Sequence, residues 1–174
     1  GDVYKRQVLD LPAWMGYIFL LVLIRSFILL NTFMAYSGKF VPKNPDKYRG
    51  DSSNVIYRSL WEFKLMKYLD DHKQIVKWSS EEFCIPYRSP IDRKMHRYFP
   101  DFWVEKDNGE ELVIEVKPKQ QLVPPKKPKR QTVKYLREMK TFAVNQRKFE
   151  VAQEYCKNKG MKFQIMTQDE LGIK

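Results

Sequence analysis

Asp101, Glu115 and Lys117 are the residues whose types and spacing could do chemistry together. Asp101 lies in the run Tyr98-Phe99-Pro100-Asp101-Phe102-Trp103-Val104, and the other two in Val113-Ile114-Glu115-Val116-Lys117. Both runs are rich in β-branched and aromatic residues, and Asp107-Asn108-Gly109 between them is a hairpin signal. Side chains alternate along a strand, so Glu115 and Lys117 share one face while Leu112, Ile114 and Val116 supply the other. Facing residues of an antiparallel pair sum to a constant, which makes the register testable. A two-residue Asn108-Gly109 loop pairs Asp107 with Glu110 and sets Asp101 against Val116. A three-residue loop with Gly109 left-handed pairs Lys106 with Glu110 and sets Asp101 against Glu115. The second register is expected, because it gathers two carboxylates and an ammonium on one face.

Adjacent carboxylates repel, and a divalent cation between them relieves the cost. Magnesium prefers hard oxygen ligands and keeps several waters, one of which can attack phosphorus. Lys117 can help deprotonate that water or offset charge on the phosphorane. This is the chemistry of phosphodiester hydrolysis. An ordinary hairpin with a solvated acidic and basic face carries the same short pattern, so the motif alone is weak.

A third acid strengthens it. Residues 54–71 have the spacing of an amphipathic helix, with Ile56, Leu60, Phe63, Leu65, Met66 and Leu69 on its apolar side. Glu62 sits at the edge of that stripe, four residues after Arg58, where an ionised group needs a partner. A surface pair with Arg58 is the plain alternative, worth little. The functional alternative is a helix carboxylate aimed at the metal held by the hairpin.

Glu62, Pro100-Asp101 and Glu115-Val116-Lys117 together resemble the PD-(D/E)xK nuclease core, the restriction-endonuclease-like fold. The run Met34-Ala35-Tyr36-Ser37-Gly38-Lys39-Phe40, the segment Tyr57-Arg58-Ser59 with Trp61-Glu62, and Arg97-Tyr98-Phe99 are similar to the T-even-type phage head completion nucleases. The similarity continues through Lys117-Pro118-Lys119, Pro124-Pro125, Val144-Asn145 and Gly160-Met161-Lys162-Phe163. A looser resemblance extends to TnsA-like transposition endonucleases. The resemblance implies a mixed α/β sheet flanked by helices and a magnesium-dependent DNA endonuclease, with manganese as a substitute. It implies metal binding by Glu62, Asp101, Glu115 and Val116, with Lys117 catalytic. It further implies work in phage head completion and DNA-end processing, in the host cytoplasm or virion, with capsid or neck proteins as partners and a homodimer possible. A basic capsid or neck assembly protein that binds DNA without cutting it is the non-enzymatic alternative, and a TnsA-like endonuclease acting in transposition is the third.

The charge balance agrees with a polyanionic partner. The formal net charge is +11 over the chain, and +10 once the three basic and two acidic residues among the first 33 are set aside. Residues 117–130 hold six Lys or Arg, four Pro and no acid, which forbids a regular helix or central strand and suits an extended arm along a phosphate backbone. The residues expected to contact DNA are Arg58, Arg97, Lys119, Lys126, Lys127, Lys129 and Arg130, helped by Arg88, Arg93 and Lys94 in the preceding hairpin.

The elements that must position these groups follow from pattern. The sheet is expected to begin near residues 82–87, with a turn at 89–93. A long helix spans 133–159 with Leu136, Met139, Phe142, Ala143, Phe149, Ala152 and Tyr155 inward, stopped by Gly160, and a short strand covers 161–166. Thr167-x-x-Glu170 is a capping box. The order α-β-β-β-α-β describes an α/β layer architecture.

Other chemistry is thinly supported. Cys84 and Cys156 are far apart and form no zinc or disulfide pattern. His96 reads as a structural or exposed residue. Trp61, Trp78 and Trp103 read as core. No glycine-rich phosphate loop is present, so no nucleotide cofactor is expected.

Residues 1–33 stand apart from the nuclease-like domain at 34–174. Asp2-Val3-Tyr4-Lys5-Arg6-Gln7 matches one reading frame of a sequencing adapter, and residues 11–24 are strongly apolar, followed by Arg25 and a second apolar run. A read-through upstream of Met34 is the preferred expectation, and a single membrane span the alternative.

Overall fold

Gly109 adopts a left-handed φ of +77°, and its N–H closes onto the Lys106 carbonyl at 3.0 Å. Lys106 N–H in turn donates to the Glu110 carbonyl, also at 3.0 Å. The connection is therefore the three-residue loop, and the flanking strands pair Phe102 with Ile114, Trp103 with Val113 and Val104 with Leu112. That is the expected register. A side chain at 109 would be strained in this turn.

The computed structural model describes residues 36–171; the expectations for residues 1–33 fall outside them. The elements in chain order are β1 (Gly38–Phe40), β2 (Val55–Tyr57), α1 (Leu60–Asp71), β3 (Ile75–Ser80), β4 (Ile85–Arg88), β5 (Met95–Tyr98), β6 (Phe102–Lys106), β7 (Glu111–Val116), α2 (Val133–Lys159) and β8 (Lys162–Met166). A four-stranded mixed sheet has the order β3-β6-β7-β8, with β8 parallel to β7 and the other pairs antiparallel. Two separate antiparallel hairpins, β1–β2 and β4–β5, stand beside it. Among the described residues no helix is long and apolar enough to cross a membrane.

Strand β7 is buried on both faces, as the central strand of a covered sheet must be. Leu112, Ile114 and Val116 pack with Phe102, Val104 and Trp78 against Leu65, Met66 and Leu69 of α1. Val113 and Trp103 pack against Cys156 of α2. Fully burying a side chain such as Met66 or Leu69 contributes roughly 1.5–3 kcal/mol, so α1 is anchored by three inward positions of its stripe. The helix C-terminus is clamped from the other side. Asp70, 1 % exposed, accepts the backbone N–H of Lys43 at 2.7 Å and fixes the loop after β1.

Four expectations need correction. The order α-β-β-β-α-β omits the β1–β2 hairpin, β3 and the division of residues 85–98 into two strands of their own sheet. The first helix starts at Leu60 and not at residue 54, because Val55-Ile56-Tyr57 pair with Gly38–Phe40 and Ser59 caps the helix behind them. Ile56 is consequently exposed. The run from Tyr98 to Val104 is not one strand: Phe99-Pro100-Asp101 is the crossing from the small β4–β5 sheet into the central one. The sheet does not begin at residues 82–87, which feed the small hairpin, but at β3. Helix α2 has its expected bounds, with Gly160 left-handed at its end, although Leu136 lies exposed on its first turns.

Candidate active site

The hairpin and the crossing bring three side chains together. Extending the β6–β7 register by one residue sets Asp101 opposite Glu115. The Lys117 ammonium lies 2.7 Å from Glu115 Oε1 and 3.8 Å from Asp101 Oδ2. Asp101 is fixed by the backbone of the opposing strand, since its Oδ2 accepts the Val116 N–H at 2.7 Å. Lys117 Nζ also donates to the Val116 carbonyl at 3.2 Å. Glu115 is 3 % exposed, and its second oxygen accepts the phenol of Tyr98 at 2.6 Å.

Burial makes these charges costly and shifts them. Desolvation first, and the neighbouring Glu115 carboxylate second, push the Asp101 carboxyl up to about 7, against the pull of Lys117 and the Val116 N–H. For Lys117, burial pulls downward, but Asp101 and Glu115 outweigh it and hold the ammonium above its usual range. Burial and the Glu115 carboxylate raise the Tyr98 phenol well above the ordinary tyrosine value, so it stays a donor. The site thus holds two carboxylates against one ammonium.

Lys117 does not balance both carboxyl groups once both are ionised, and a small hard dication in this all-oxygen donor set would relieve that cost. Asp101, Glu115 and the Val116 carbonyl would supply the protein ligands, and magnesium sites commonly use one or two carboxylates with water completing the shell. Glu62 is engaged elsewhere. Its Oε2 accepts the Arg58 N–H at 2.7 Å and its Oε1 the Ser59 hydroxyl at 2.9 Å, while Ser59 Oγ accepts the Glu62 N–H. This is a variant of the capping box at the start of α1, in which the Glu62 carboxylate takes the N–H of Arg58 and the hydroxyl of the cap residue Ser59. The charge of Glu62 still contributes to raising Asp101 and Lys117. Among the described residues no three His, Cys, Asp or Glu side chains are gathered to hold a metal ion. Asp101 and Glu115 meet; Glu62 does not join them in this conformation.

Residues 72–168 match the family described as TnsA-like endonuclease N terminal. Over 142 residues, covering 79 % of this chain and 95 % of the relative, the sequence is 43 % identical to the head completion nuclease of Enterobacteria phage T4. The chain belongs to the TnsA-like endonuclease family. The family match takes in Asp101, Glu115 and Lys117, and it starts after α1, so Glu62 lies before it.

The residues expected to touch DNA fall into two groups in this family member. Lys126, Lys127, Lys129 and Arg130 are exposed on the irregular segment between β7 and α2. Others are tied to protein partners. Arg58 forms an ion pair with Glu81, and Lys119 lies 2.8 Å from Asp169. Arg97 lies over the Phe99 ring, 5.7 Å from its centroid. Arg88 donates to the Arg93 carbonyl within the β4–β5 turn. His96 is a surface partner of Asp92 at 2.8 Å, as a structural histidine would be. Trp78 and Trp103 are core, and Cys84 and Cys156 are free thiols.

Two contacts at the site lie beyond the sequence-based expectations. Ser59-x-x-Glu62 carries the capping-box signature, a local pattern that competes directly with a ligand role for Glu62. Tyr98 reaches Glu115 from a different sheet, and nothing in local spacing marks it.

Proposed function

We propose that the chain is a metal-dependent DNA endonuclease acting in phage head completion, where it processes DNA ends. The observation that supports this reading most is the meeting of Asp101, Glu115 and Lys117 across the β6–β7 pair. The high coverage of the T4 relative, named for head completion, supports the biological setting over a role in transposition.

Asp101, Glu115 and the Val116 carbonyl would hold a magnesium ion, with manganese as a substitute, and Glu62 is the further carboxylate available if it leaves its cap. When bound, such an ion supplies Lewis acidity at the phosphate and a more acidic water. Lys117 then acts as a fixed positive charge. Its ammonium is held protonated by the two carboxylates, so it is better suited to offset charge developing on the phosphoryl oxygens than to remove a proton. Asp101 and Glu115 orient the reacting groups, and the exposed basic segment at 126–130 grips phosphates nearby along the strand.

The test is cleavage of linear and circular DNA with magnesium or manganese by the wild type, Asp101→Ala and Glu115→Ala. Loss of cutting in both variants with DNA binding retained is expected. Binding with no cutting by the wild type in either metal would favour a DNA-binding assembly protein that has kept the fold.

A further inference from the structure

We propose that Tyr98 is a positioning residue for Glu115, and that through it the β4–β5 hairpin sets the orientation of the catalytic carboxylate. This rests on the endonuclease reading above. Strand β5 is exposed at Met95, His96 and Arg97, and then turns one side chain wholly inward: Tyr98 is 1 % exposed. Its hydroxyl donates to Glu115 Oε2 at 2.6 Å, while the Lys117 ammonium holds Oε1 at 2.7 Å. A carboxylate held at one oxygen by a phenol and at the other by an ammonium has its plane fixed by the two partners. Removing the phenol leaves one oxygen free to turn.

The ring that carries the hydroxyl is itself rigidly held. It packs with Ile85, Tyr87, Val151 and Ala152, and the Lys148 ammonium sits 5.3 Å from its centroid. Tyr98 belongs to the small β4–β5 sheet, whereas Glu115 belongs to the central one. Three residues after Tyr98 the same chain delivers Asp101, bonded to the Val116 N–H. One short segment therefore places an acceptor on Val116 and a donor on Glu115. Partners of this kind to a metal-binding carboxylate usually change metal affinity or activity 10- to 100-fold on removal.

The test is Tyr98→Phe beside Tyr87→Phe, a control in the same apolar cluster that makes the same loss of a hydroxyl. Magnesium and manganese titrations are followed by thermal unfolding, and single-turnover cleavage is measured across the same concentrations. Y98F is expected to need roughly 10- to 100-fold more metal for half-maximal stabilisation and for half-maximal cleavage, with Y87F matching the wild type. A structural role alone would lower the unfolding temperature without moving the metal midpoint. Y98F with wild-type midpoints in both readouts overturns the proposal while leaving the nuclease intact. A wild type that neither cuts nor gains stability with either metal removes the endonuclease reading, and this inference with it. Should Y98F not fold, p-fluorophenylalanine incorporated at position 98 fills the hydroxyl's space without donating, and is judged by the same midpoints.

Discussion

The carboxylate of Asp101 accepts the backbone N–H of Val116 at 2.7 Å, so the residue after Glu115 is bonded to the acid that faces Glu115. The contact stitches the crossing Phe99-Pro100-Asp101 to the end of β7 without using any side chain of β7. It fixes where Asp101 sits even though burial and the Glu115 charge disfavour its ionised form. The cost of burying this carboxyl group appears as a displaced protonation equilibrium.

That displacement gives a pH dependence of defined sign. Desolvation and Glu115 push Asp101 up to about 7 in the folded protein, whereas an unfolded aspartate titrates near ~3.9. The folded state therefore holds a proton that the unfolded state has released. Stability falls as pH rises from about 4 to about 7 and stays low above that. Asp101→Asn removes the titration and keeps an acceptor for the Val116 N–H. In EDTA at pH 8, D101N is expected to be more stable than the wild type by roughly 1–3 kcal/mol, since each tenfold change in proton affinity is worth about 1.4 kcal/mol. The advantage should vanish toward pH 4. Urea unfolding at pH 4, 6 and 8 measures it, and equal stability at all three would contradict the raised Asp101.

Glu62 carries two demands on one carboxylate. Its bonds to the Arg58 N–H and the Ser59 hydroxyl make it a helix cap, and the resemblance assigns it to the metal. Glutamine at this position still caps, because the capping box accepts Gln as well as Glu. Glu62→Gln is therefore expected to unfold within about 0.5 kcal/mol of the wild type while losing roughly 100-fold or more in cleavage, in the range of removing a partner in electrostatic catalysis. Glu62→Ala should lose both, with a stability cost of about 1 kcal/mol for the cap. Undiminished cleavage by E62Q would leave Glu62 a cap and nothing more.

Local pattern is informative where the partners are near in sequence. The Asp107-Asn108-Gly109 signal marks the turn but allows two registers, and gathering Asp101, Glu115 and Lys117 on one face selects the one that the strands adopt. The long α2 with its Gly160 stop is legible for the same reason, as its signals lie within one element. What local pattern misses depends on partners far along the chain. Val55-Ile56-Tyr57 look helical at i, i+4 spacing, and only pairing with residues 38–40 makes them a strand. Phe99-Pro100-Asp101 reads as strand by composition, yet it bridges two sheets, a property of the assembled layers that no window of sequence contains. The role of Tyr98 is hidden on the same ground: its partner Glu115 is 17 residues away and on another sheet.

The basic segment after β7 should contribute affinity without contributing stability. Lys126, Lys127, Lys129 and Arg130 are exposed beside Pro-rich stretches outside regular structure. Replacing all four by alanine should leave the unfolding midpoint nearly unchanged, since exposed substitutions stay within about 0.5 kcal/mol each. Each phosphate contact releases counterion, with a slope near −0.9 per contact in a plot of log affinity against log salt on duplex DNA. The quadruple variant is expected to show a slope shallower by up to about 3.6, with cleavage recovered at high DNA concentration. Salt titrations of binding in calcium would measure this, and an unchanged slope would place the phosphate grip elsewhere on the surface.

Glu110 ties the β6–β7 turn to β8. It lies 2.7 Å from the Lys106 ammonium and is also paired with Lys162 at the start of the parallel strand. The side-chain bonds from Lys106 and then Lys162 hold its carboxyl down at about 2, below the ordinary glutamate value. For a depressed acid the contribution to stability is present above the unfolded value, near ~4.3, and is lost as pH falls through about 2. Glu110→Gln should therefore unfold at lower temperature than the wild type at pH 6, by the small margin expected of an exposed ion pair. The two curves should converge as pH falls below about 4 and merge near about 2. Lys162→Ala should reproduce part of the effect, because it removes one of the two cations that face Glu110. Added salt should narrow the gap at pH 6, as screening weakens exposed pairs. A gap that persists unchanged at pH 2 would mean that Glu110 acts through packing and not through its charge.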